Sequence, residues 1–191
     1  MALSAQEQSS AGFRVRSAIA RNIWVEIALW AALLLCGGLW CWLSAARYLG
    51  YNSGMFDLGN MAQAIASVNR GQPFSFTYRD GQMSRLALHV ELFYALFVPL
   101  MRLWNDPQVL LIGQALLAVS GALPVYYLAG RRFAAGTSLA FALGYLLYPT
   151  AVSAILFDFH GDTLAMPLLL WMLDALDRQA WKRFWLFLLL S

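Results

Sequence analysis

Three ionisable side chains alternate in the stretch Phe157-Asp158-Phe159-His160-Gly161-Asp162, which interrupts an otherwise apolar half of the chain. Because a charged group beside hydrocarbon loses its solvation, such residues persist mainly where they face water, one another or a substrate. In an extended segment Asp158, His160 and Asp162 point to one side, where carboxylate and imidazole ligands suit a divalent metal such as Mg²⁺ or Mn²⁺. On a helix only Asp158 and Asp162 share a face.

Five further candidate residues lie upstream, in a more polar part of the chain. Arg79 and Arg85 carry the positive charge that binds a phosphate group. His89 is a third candidate for substrate or phosphate binding, and Glu91 adds a carboxylate to the candidate metal ligands. Asp57 is an acid of the kind that acts as a general base.

Each candidate also has a purely structural interpretation. Asp is a preferred N-cap, so Asp57 is also suited to starting the loop helix, and Asp158 and Asp162 to starting the span near Thr163. His160 is also compatible with a residue that only forms hydrogen bonds at the membrane interface. His89 stands between two apolar residues, which is typical of a buried histidine that has found a hydrogen-bond partner. Arg79 and Arg85 are also compatible with solvated loop charges.

The composition is that of an integral membrane protein. Of the 191 residues, 61% are hydrophobic and 12% are charged, against about 25% charged residues in soluble domains. The net charge of +3 comes from small basic groups between apolar runs, which argues against a nucleic-acid partner. The expected partner is the lipid bilayer.

Apolar runs predict an all-α, polytopic fold with about five transmembrane helices. The first run, Ile23 to Ala46, exceeds the roughly 20 residues that cross a bilayer. Pro149 predicts a kink within the third span. No sheet is expected, because an open sheet in lipid leaves backbone groups unpaired. The other predicted spans are Val109 to Leu128, Ala134 to about Leu156, Thr163 to Leu176 and the run from Phe184 to Leu190.

The stretch between the first two spans, residues 47–107, mixes Gly, Asn, Ser, Pro and charged residues with two apolar segments. Met55 to Val68 has apolar residues at nearly helical period and predicts an amphipathic helix on the membrane surface. Gly71 to Arg85 is predicted as loop, and Leu86 to Trp104 as a second helix. The prediction is therefore a long first loop that carries two membrane-parallel helices.

Basic residues predict the orientation. If the second loop helix does not cross the membrane, eight of the thirteen basic residues, Arg131 and Arg132 among them, fall on the side of the N-terminus. The positive-inside rule makes that side cytoplasmic. The chain is then a multi-pass protein of the cell membrane, with a cytoplasmic tail, residues 1–22, and a single transmembrane domain, residues 23–191. The loop 47–107 and every candidate site residue are extracytoplasmic.

Several short motifs occur in a fixed order: Tyr51-Asn52-Ser53-Gly54-Met55-Phe56-Asp57-Leu58-Gly59-Asn60, Gly71-Gln72-Pro73-Phe74, His89, Gln114-Ala115-Leu116, Tyr148-Pro149 and Phe157-Asp158-Phe159-His160. In this order and spacing they resemble an uncharacterised family of predicted prokaryotic membrane proteins, the domain of unknown function 2079. The resemblance covers roughly Tyr51 to Arg178. That family in turn resembles the GT-C glycosyltransferases, which take a sugar from a polyprenyl-phosphate carrier on the extracytoplasmic side.

The GT-C resemblance implies that this chain is the N-terminal part of a larger fold. It implies that the loop 47–107 is the first outer loop of such an enzyme, and that Asp57, in the place of that loop's acidic residue, is the catalytic base. A polyprenyl-phosphate-linked sugar is the implied partner, and a prokaryotic inner or plasma membrane the implied location.

The chain departs from the family pattern in three places. His89-Val90-Glu91-Leu92 stands where His-Phe-Ser-Pro is expected, and Gly161-Asp162 where Pro-Glu is expected. The chain also stops at Ser191 inside an apolar run, whereas a GT-C enzyme has further spans. The sequence is therefore expected to be a fragment or a truncated reading frame.

The chain fits two main function classes. The first is a GT-C-type membrane glycosyltransferase. The alternative is a membrane transporter or carrier component in which Asp158 and His160 handle protons or a cation. A proton path needs further ionisable residues along the spans, and the spans contain almost none, which favours the glycosyltransferase. A structural role as an assembly subunit is a third class.

Overall fold

The computed structural model describes residues 22–79, 81–89 and 91–191, which are mostly helical. Arg14, Arg16 and Arg21 of the predicted cytoplasmic tail lie outside these residues. The helices are α1 Ile23–Leu49, α2 Asn60–Val68, α3 Val98–Leu103, α4 Gln108–Ser120, α5 Ala122–Gly130, α6 Ala135–Leu146, α7 Pro149–Leu156, α8 Gly161–Asp177 and α9 Trp181–Leu190.

Two helical stretches are long and apolar enough to cross a membrane: α1, and Gln108–Gly130, which α4 and α5 form together. The bent pair of α6 and α7 makes a third if it counts as one span. Helix α8 has 17 residues and is about 26 Å long, slightly less than the roughly 30 Å of a hydrocarbon core. The described chain therefore has two to three candidate spans by length and composition, and the prediction of about five goes beyond this.

The bend between α6 and α7 is 45°, and it lies where Pro149 predicts a kink. Pro149 occupies the first position of α7, and Tyr148 before it has an extended backbone. A proline has no N–H for the preceding turn and disfavours helical geometry in the residue before it. The predicted kink is confirmed.

The first predicted loop helix is confirmed as a helix, with an irregular start. Met55–Gly59 forms a π-helical turn that leads directly into α2. The second predicted helix, Leu86 to Trp104, is wrong as one continuous element. The chain instead forms two 3₁₀ segments, Arg85–Ala87 and Leu92–Phe97, before α3.

The prediction that sheet is absent is also wrong. Strands β1, Ser75–Tyr78, and β2, Gly81–Ser84, pair as an antiparallel hairpin. The expectation assumed an open sheet exposed to lipid, but β1 packs against α2. The side chain of Gln63 on α2 both donates to the Thr77 hydroxyl and accepts from the Thr77 backbone N–H, at 2.9 and 3.1 Å. These bonds pair the polar groups of that edge.

Two apolar cores hold the elements together. Helix α1 packs against α4, α5 packs against α6, and α8 packs against both α4 and α5. Side chains such as Leu33, Ala118 and Leu146 form the core among these helices. The second core joins the loop to the ends of α4 and α8, and it includes Ile65, Phe97, Leu110, Phe159 and Leu164.

Candidate functional site

Asp57 and His160 face each other across the gap between the first loop and the start of α8. Oδ1 of Asp57 lies 3.5 Å from Nε2 of His160, and their side chains are 42% and 36% exposed. Asp57 belongs to the π-helical turn, and the N-cap position of α2 is Gly59, which makes no side-chain cap bond. The carboxylate of Asp57 is therefore a member of an acid–imidazole pair that is open to solvent, and does not cap α2.

Both ring nitrogens of His160 face acceptors. Nδ1 lies 3.2 Å from the backbone carbonyl of Asp158, and Nε2 lies beside the Asp57 carboxylate. A carbonyl oxygen only accepts, so Nδ1 is the donor in that bond. The carbonyl of Asp158 therefore orients the ring so that Nε2 faces Asp57.

Asp158 is buried, with 3% of its surface exposed. Its Oδ2 accepts a 2.6 Å hydrogen bond from the backbone N–H of Gly54, and its Oδ1 lies 3.8 Å from Nη2 of Arg47. The same guanidinium also donates to the carbonyls of Asn52 and Leu156. Asp158 therefore anchors the first loop to the end of α7 through Oδ2, whereas its buried Oδ1 has no hydrogen-bond partner among the described residues and only the charge of Arg47 nearby.

Gln114, on α4, holds the break between α7 and α8 in place. Its side chain is fully buried. Nε2 donates to the carbonyls of Ile155 and Asp158 at 3.3 and 3.1 Å, and Oε1 accepts from the backbone N–H of His160 at 3.0 Å. We call Arg47, Asp57, Gln114, Asp158 and His160 the acid–histidine cluster.

Glu91, predicted as a metal ligand, forms an ion pair with Arg85, which was predicted to bind phosphate. Two nitrogens of Arg85 lie 3.1 Å from Oε2 of Glu91, and the Tyr94 hydroxyl donates to Oε1 at 2.9 Å. Burial, followed by the neighbouring charge of Glu91, raises the pKa of the Tyr94 phenol, so the hydroxyl remains the donor. The guanidinium of Arg85 is neutralised by Glu91 instead of standing open to a phosphate.

The two departures from the family pattern contact each other. A Cβ at position 161 would overlap with Oε1 of Glu91. The resemblance described above led us to expect serine in place of Glu91 and proline in place of Gly161. The glycine leaves the space that the longer acidic side chain fills.

His89 and Asp162 lie on a polar cavity of about 280 Å³, together with Glu91, Tyr94 and Gly161. His89 is exposed, so its interpretation as a buried histidine is wrong. The N-cap position of α8 is His160, and Asp162 lies inside the first helical turn. Asp162 therefore does not cap the helix, and within the described chain its carboxylate has no hydrogen-bond partner.

Arg79 lies at the end of the hairpin, next to β1. Its guanidinium stacks over the ring of Tyr78, 5.3 Å from the ring centre, and its backbone has a positive φ of 52°. The side chain is exposed. This position makes Arg79 a surface charge of the hairpin.

The four predicted metal ligands do not converge. Asp158 binds Gly54, Glu91 binds Arg85, and His160 faces Asp57. Over residues 22–79, 81–89 and 91–191, the structure has no group of three or more His, Cys, Asp or Glu side chains placed to hold a metal ion. Because the residues do not fit a metal in this arrangement, we derive no step through one, and a divalent metal stays a prediction.

A second charged network lies at the other end of the helices. Asp174 pairs with Arg178, four positions later in the chain, at 2.9 Å. Asp174 is buried and also accepts a 2.8 Å hydrogen bond from Arg131. Asp177 binds both Arg131 and Arg132. This arginine–aspartate network joins the end of α5 to the end of α8.

Sequence reasoning missed Arg47, Gly54 and Gln114 as members of the site. Gln114 had a signal, because it is a lone amide within an apolar run, and such a residue needs buried partners. Arg47 ends the first span, where a basic residue is ordinarily taken as a membrane anchor. Gly54 takes part through its backbone N–H, and a Cβ there would lie 2.8 Å from Oδ2 of Asp158.

The chain matches the model of a known family. A family described as predicted membrane protein (DUF2079) matches residues 47–190, which include every residue of the acid–histidine cluster. No curated protein and no solved structure matches the chain.

Proposed function

The chain belongs to the predicted membrane protein family DUF2079, and from this premise we propose that it is a GT-C-type membrane glycosyltransferase or the N-terminal portion of one. It transfers a sugar from a polyprenyl-phosphate donor on the extracytoplasmic side. The observation that carries the proposal is the 3.5 Å pair of Asp57 and His160. It joins the acidic loop and the Phe-Asp-Phe-His motif, which are 103 positions apart, in one solvent-open site.

The proposed topology has five spans in a single transmembrane domain, residues 23–191, in a prokaryotic cell membrane with the N-terminus in the cytoplasm. Its support is the separation of charges. Helix α8 begins beside the acid–histidine cluster and ends in the arginine–aspartate network. Lys182 and Arg183 follow at the same end. A predominance of basic residues at one end is typical of the cytoplasmic side.

The proposed reaction is attack of an acceptor hydroxyl on the anomeric carbon of the donor sugar. The new C–O bond forms as the bond from that carbon to the phosphate oxygen breaks, and the electron pair leaves with the phosphate. Asp57 takes the proton of the hydroxyl as general base. When protonated, His160 supplies positive charge beside the developing anion. The guanidinium of Arg47 lies 3.8 Å from Oδ1 of Asp158 and compensates the buried charge of that carboxylate.

The test is Asp57→Asn in the membrane-inserted protein, or in the complete protein if further spans follow. Transfer of labelled sugar from a polyprenyl-phosphate donor should be abolished while insertion is unchanged, because the amide keeps the shape and loses the basicity. Asp106→Asn is the matched control. The Asp106 carboxylate accepts a hydrogen bond from the backbone N–H of Gln108 at the start of α4, and the side-chain oxygen of Asn can accept the same bond. Full activity of Asp57→Asn would remove Asp57 from the mechanism.

The transporter alternative is tested in proteoliposomes with variants of Asp158 and His160. It requires proton or cation flux that depends on Asp158 and His160. The stretches 27–46, 108–130, 135–156 and 163–173 contain no Asp, Glu, His, Lys or Arg, so no relay of such groups connects the two ends. Flux that is lost in His160→Ala, with no sugar transfer in the wild type, would replace the glycosyltransferase proposal by the transporter.

A further inference from the structure

Two cavities meet at the first turn of α8. One is the polar cavity that contains His89, Glu91 and Asp162. The other is an apolar groove of about 570 Å³ between the bend of α6 and α7 and the side of α8. Asp162 and Ala165 line both. The two spaces therefore adjoin at Asp162 and Ala165, with the polar cavity on one side and the apolar groove on the other.

The groove has the character of a hydrocarbon site. Its lining consists mainly of Tyr145, Tyr148, Ala151, Met166, Leu169 and Leu170. Both walls belong to apolar helices, and Leu169 is exposed along the outer side of α8. A volume of about 570 Å³ falls within the roughly 300–1,000 Å³ of ligand pockets. A hydrocarbon chain can enter this groove sideways from the bilayer.

The polar end has a negative balance of charge. Asp162 has no partner among the described residues, whereas Glu91 is compensated by Arg85. In the part of the chain that the structure describes, no Arg or Lys side chain lines the polar cavity. A phosphate placed there would meet an uncompensated carboxylate, whereas hydroxyl groups would donate to it. The cavity therefore favours an uncharged, hydroxyl-bearing head.

We propose that the groove and the polar cavity together bind a bilayer lipid whose hydrocarbon chain lies along α8 and whose uncharged hydroxyl head lies at Asp162. The assignment of this lipid as the acceptor rests on the proposed function. Gly161, which follows His160 in the chain, also lines the polar cavity. The acceptor hydroxyl and the acid–histidine cluster are thereby brought to the same end of the protein.

The experiment uses the full chain in detergent-free lipid nanodiscs. The probe is an alkyl glucoside that carries a photoactivatable diazirine at the end of its chain, and the comparison probe is the alkyl phosphate of the same length. Crosslinked peptides are mapped by mass spectrometry. We expect the glucoside to label Met166, Leu169 and Leu170, the phosphate to label them less, and unlabelled glucoside to compete. Labelling spread over the lipid-facing helices without competition would overturn the proposal.

Two variants and one control test the junction and the head group separately. Ala165→Trp fills the junction and should lower groove labelling about tenfold, whereas Leu173→Trp, at an exposed position of the same helix outside the groove, should leave it unchanged. Asp162→Asn removes the charge at constant size and should raise phosphate labelling toward that of the glucoside. An unchanged ratio of the two probes in Asp162→Asn would overturn the assignment of the head group.

Failure of this inference and failure of the proposed function are distinguishable. Labelling needs no catalysis, so Asp57→Asn should label as the wild type does. Loss of transfer in Asp57→Asn without competable labelling would leave the glycosyltransferase and refute the lipid site. Competable labelling together with no sugar transfer by the wild type would do the reverse.

Discussion

The backbone N–H of Gly54 donates a 2.6 Å hydrogen bond to Oδ2 of Asp158, and this contact joins the first loop to the break between α7 and α8. Asp57 lies three residues after Gly54, and His160 lies two residues after Asp158. The bond therefore sets the distance between the two residues of the acid–imidazole pair. The buried carboxylate of Asp158 thus positions Asp57 and His160.

Gly54→Ala should separate the loop from Asp158. The added Cβ would lie 2.8 Å from Oδ2, closer than van der Waals contact allows, and the resulting shift should cost about 1–3 kcal/mol. Thermal unfolding in detergent measures the loss. Gly38→Ala is the matched control, because no atom lies within 4 Å of a Cβ there. Equal stability of the two variants would contradict the anchoring role of Gly54.

Gln114→Leu should loosen the segment between α7 and α8. The change leaves the buried N–H of His160 and the carbonyl of Asp158 without the side-chain partners they have now, at about 1–3 kcal/mol for each unsatisfied group. Hydrogen exchange at the His160 amide should become faster. Gln108→Leu on the same helix should not change that rate, since the Gln108 side chain makes no hydrogen bond within the described residues. An unchanged rate in Gln114→Leu would refute the role.

The Asp57–His160 pair should contribute more to activity than to stability. Both side chains are more than one third exposed, so solvent screens their attraction. A double-mutant cycle of Asp57→Asn and His160→Ala should give a coupling below about 1 kcal/mol in unfolding. Each single variant should lose transfer activity. A large coupling in stability with activity retained would make the pair structural.

The arginine–aspartate network should weaken in acid. Hydrogen bonding from Arg132 is the largest cause that lowers the pKa of Asp177 from its ordinary value of 3.8, with Arg131 contributing as well. Because the folded pKa is the lower one, the stabilisation is complete above pH 3.8 and is lost as the pH falls through the folded value. Unfolding measured against pH should show the wild type and Asp177→Asn converging below pH 3.8. Arg132→Gln should reduce this pH dependence, and parallel curves throughout would contradict the prediction.

The sequence by itself determined the elements that local chemistry dictates. The long apolar runs specify helices because backbone groups in lipid must be paired within the chain. Pro149 specifies the bend because it lacks an N–H, and the period of apolar residues from Met55 to Val68 specifies the first loop helix. The motifs that resemble the family also placed Asp57 and the Phe-Asp-Phe-His segment among the candidates.

Only the tertiary structure decided what each polar residue does, because the partners are far apart in sequence. Asp158 anchors Gly54, 104 positions away, and Gln114 binds His160, 46 positions away. Glu91 pairs with Arg85 because the chain between them is not one helix, and the hairpin forms because α2 covers it. Type and spacing indicate which residues can do chemistry. Three-dimensional packing determines which of them keep a free side chain for it.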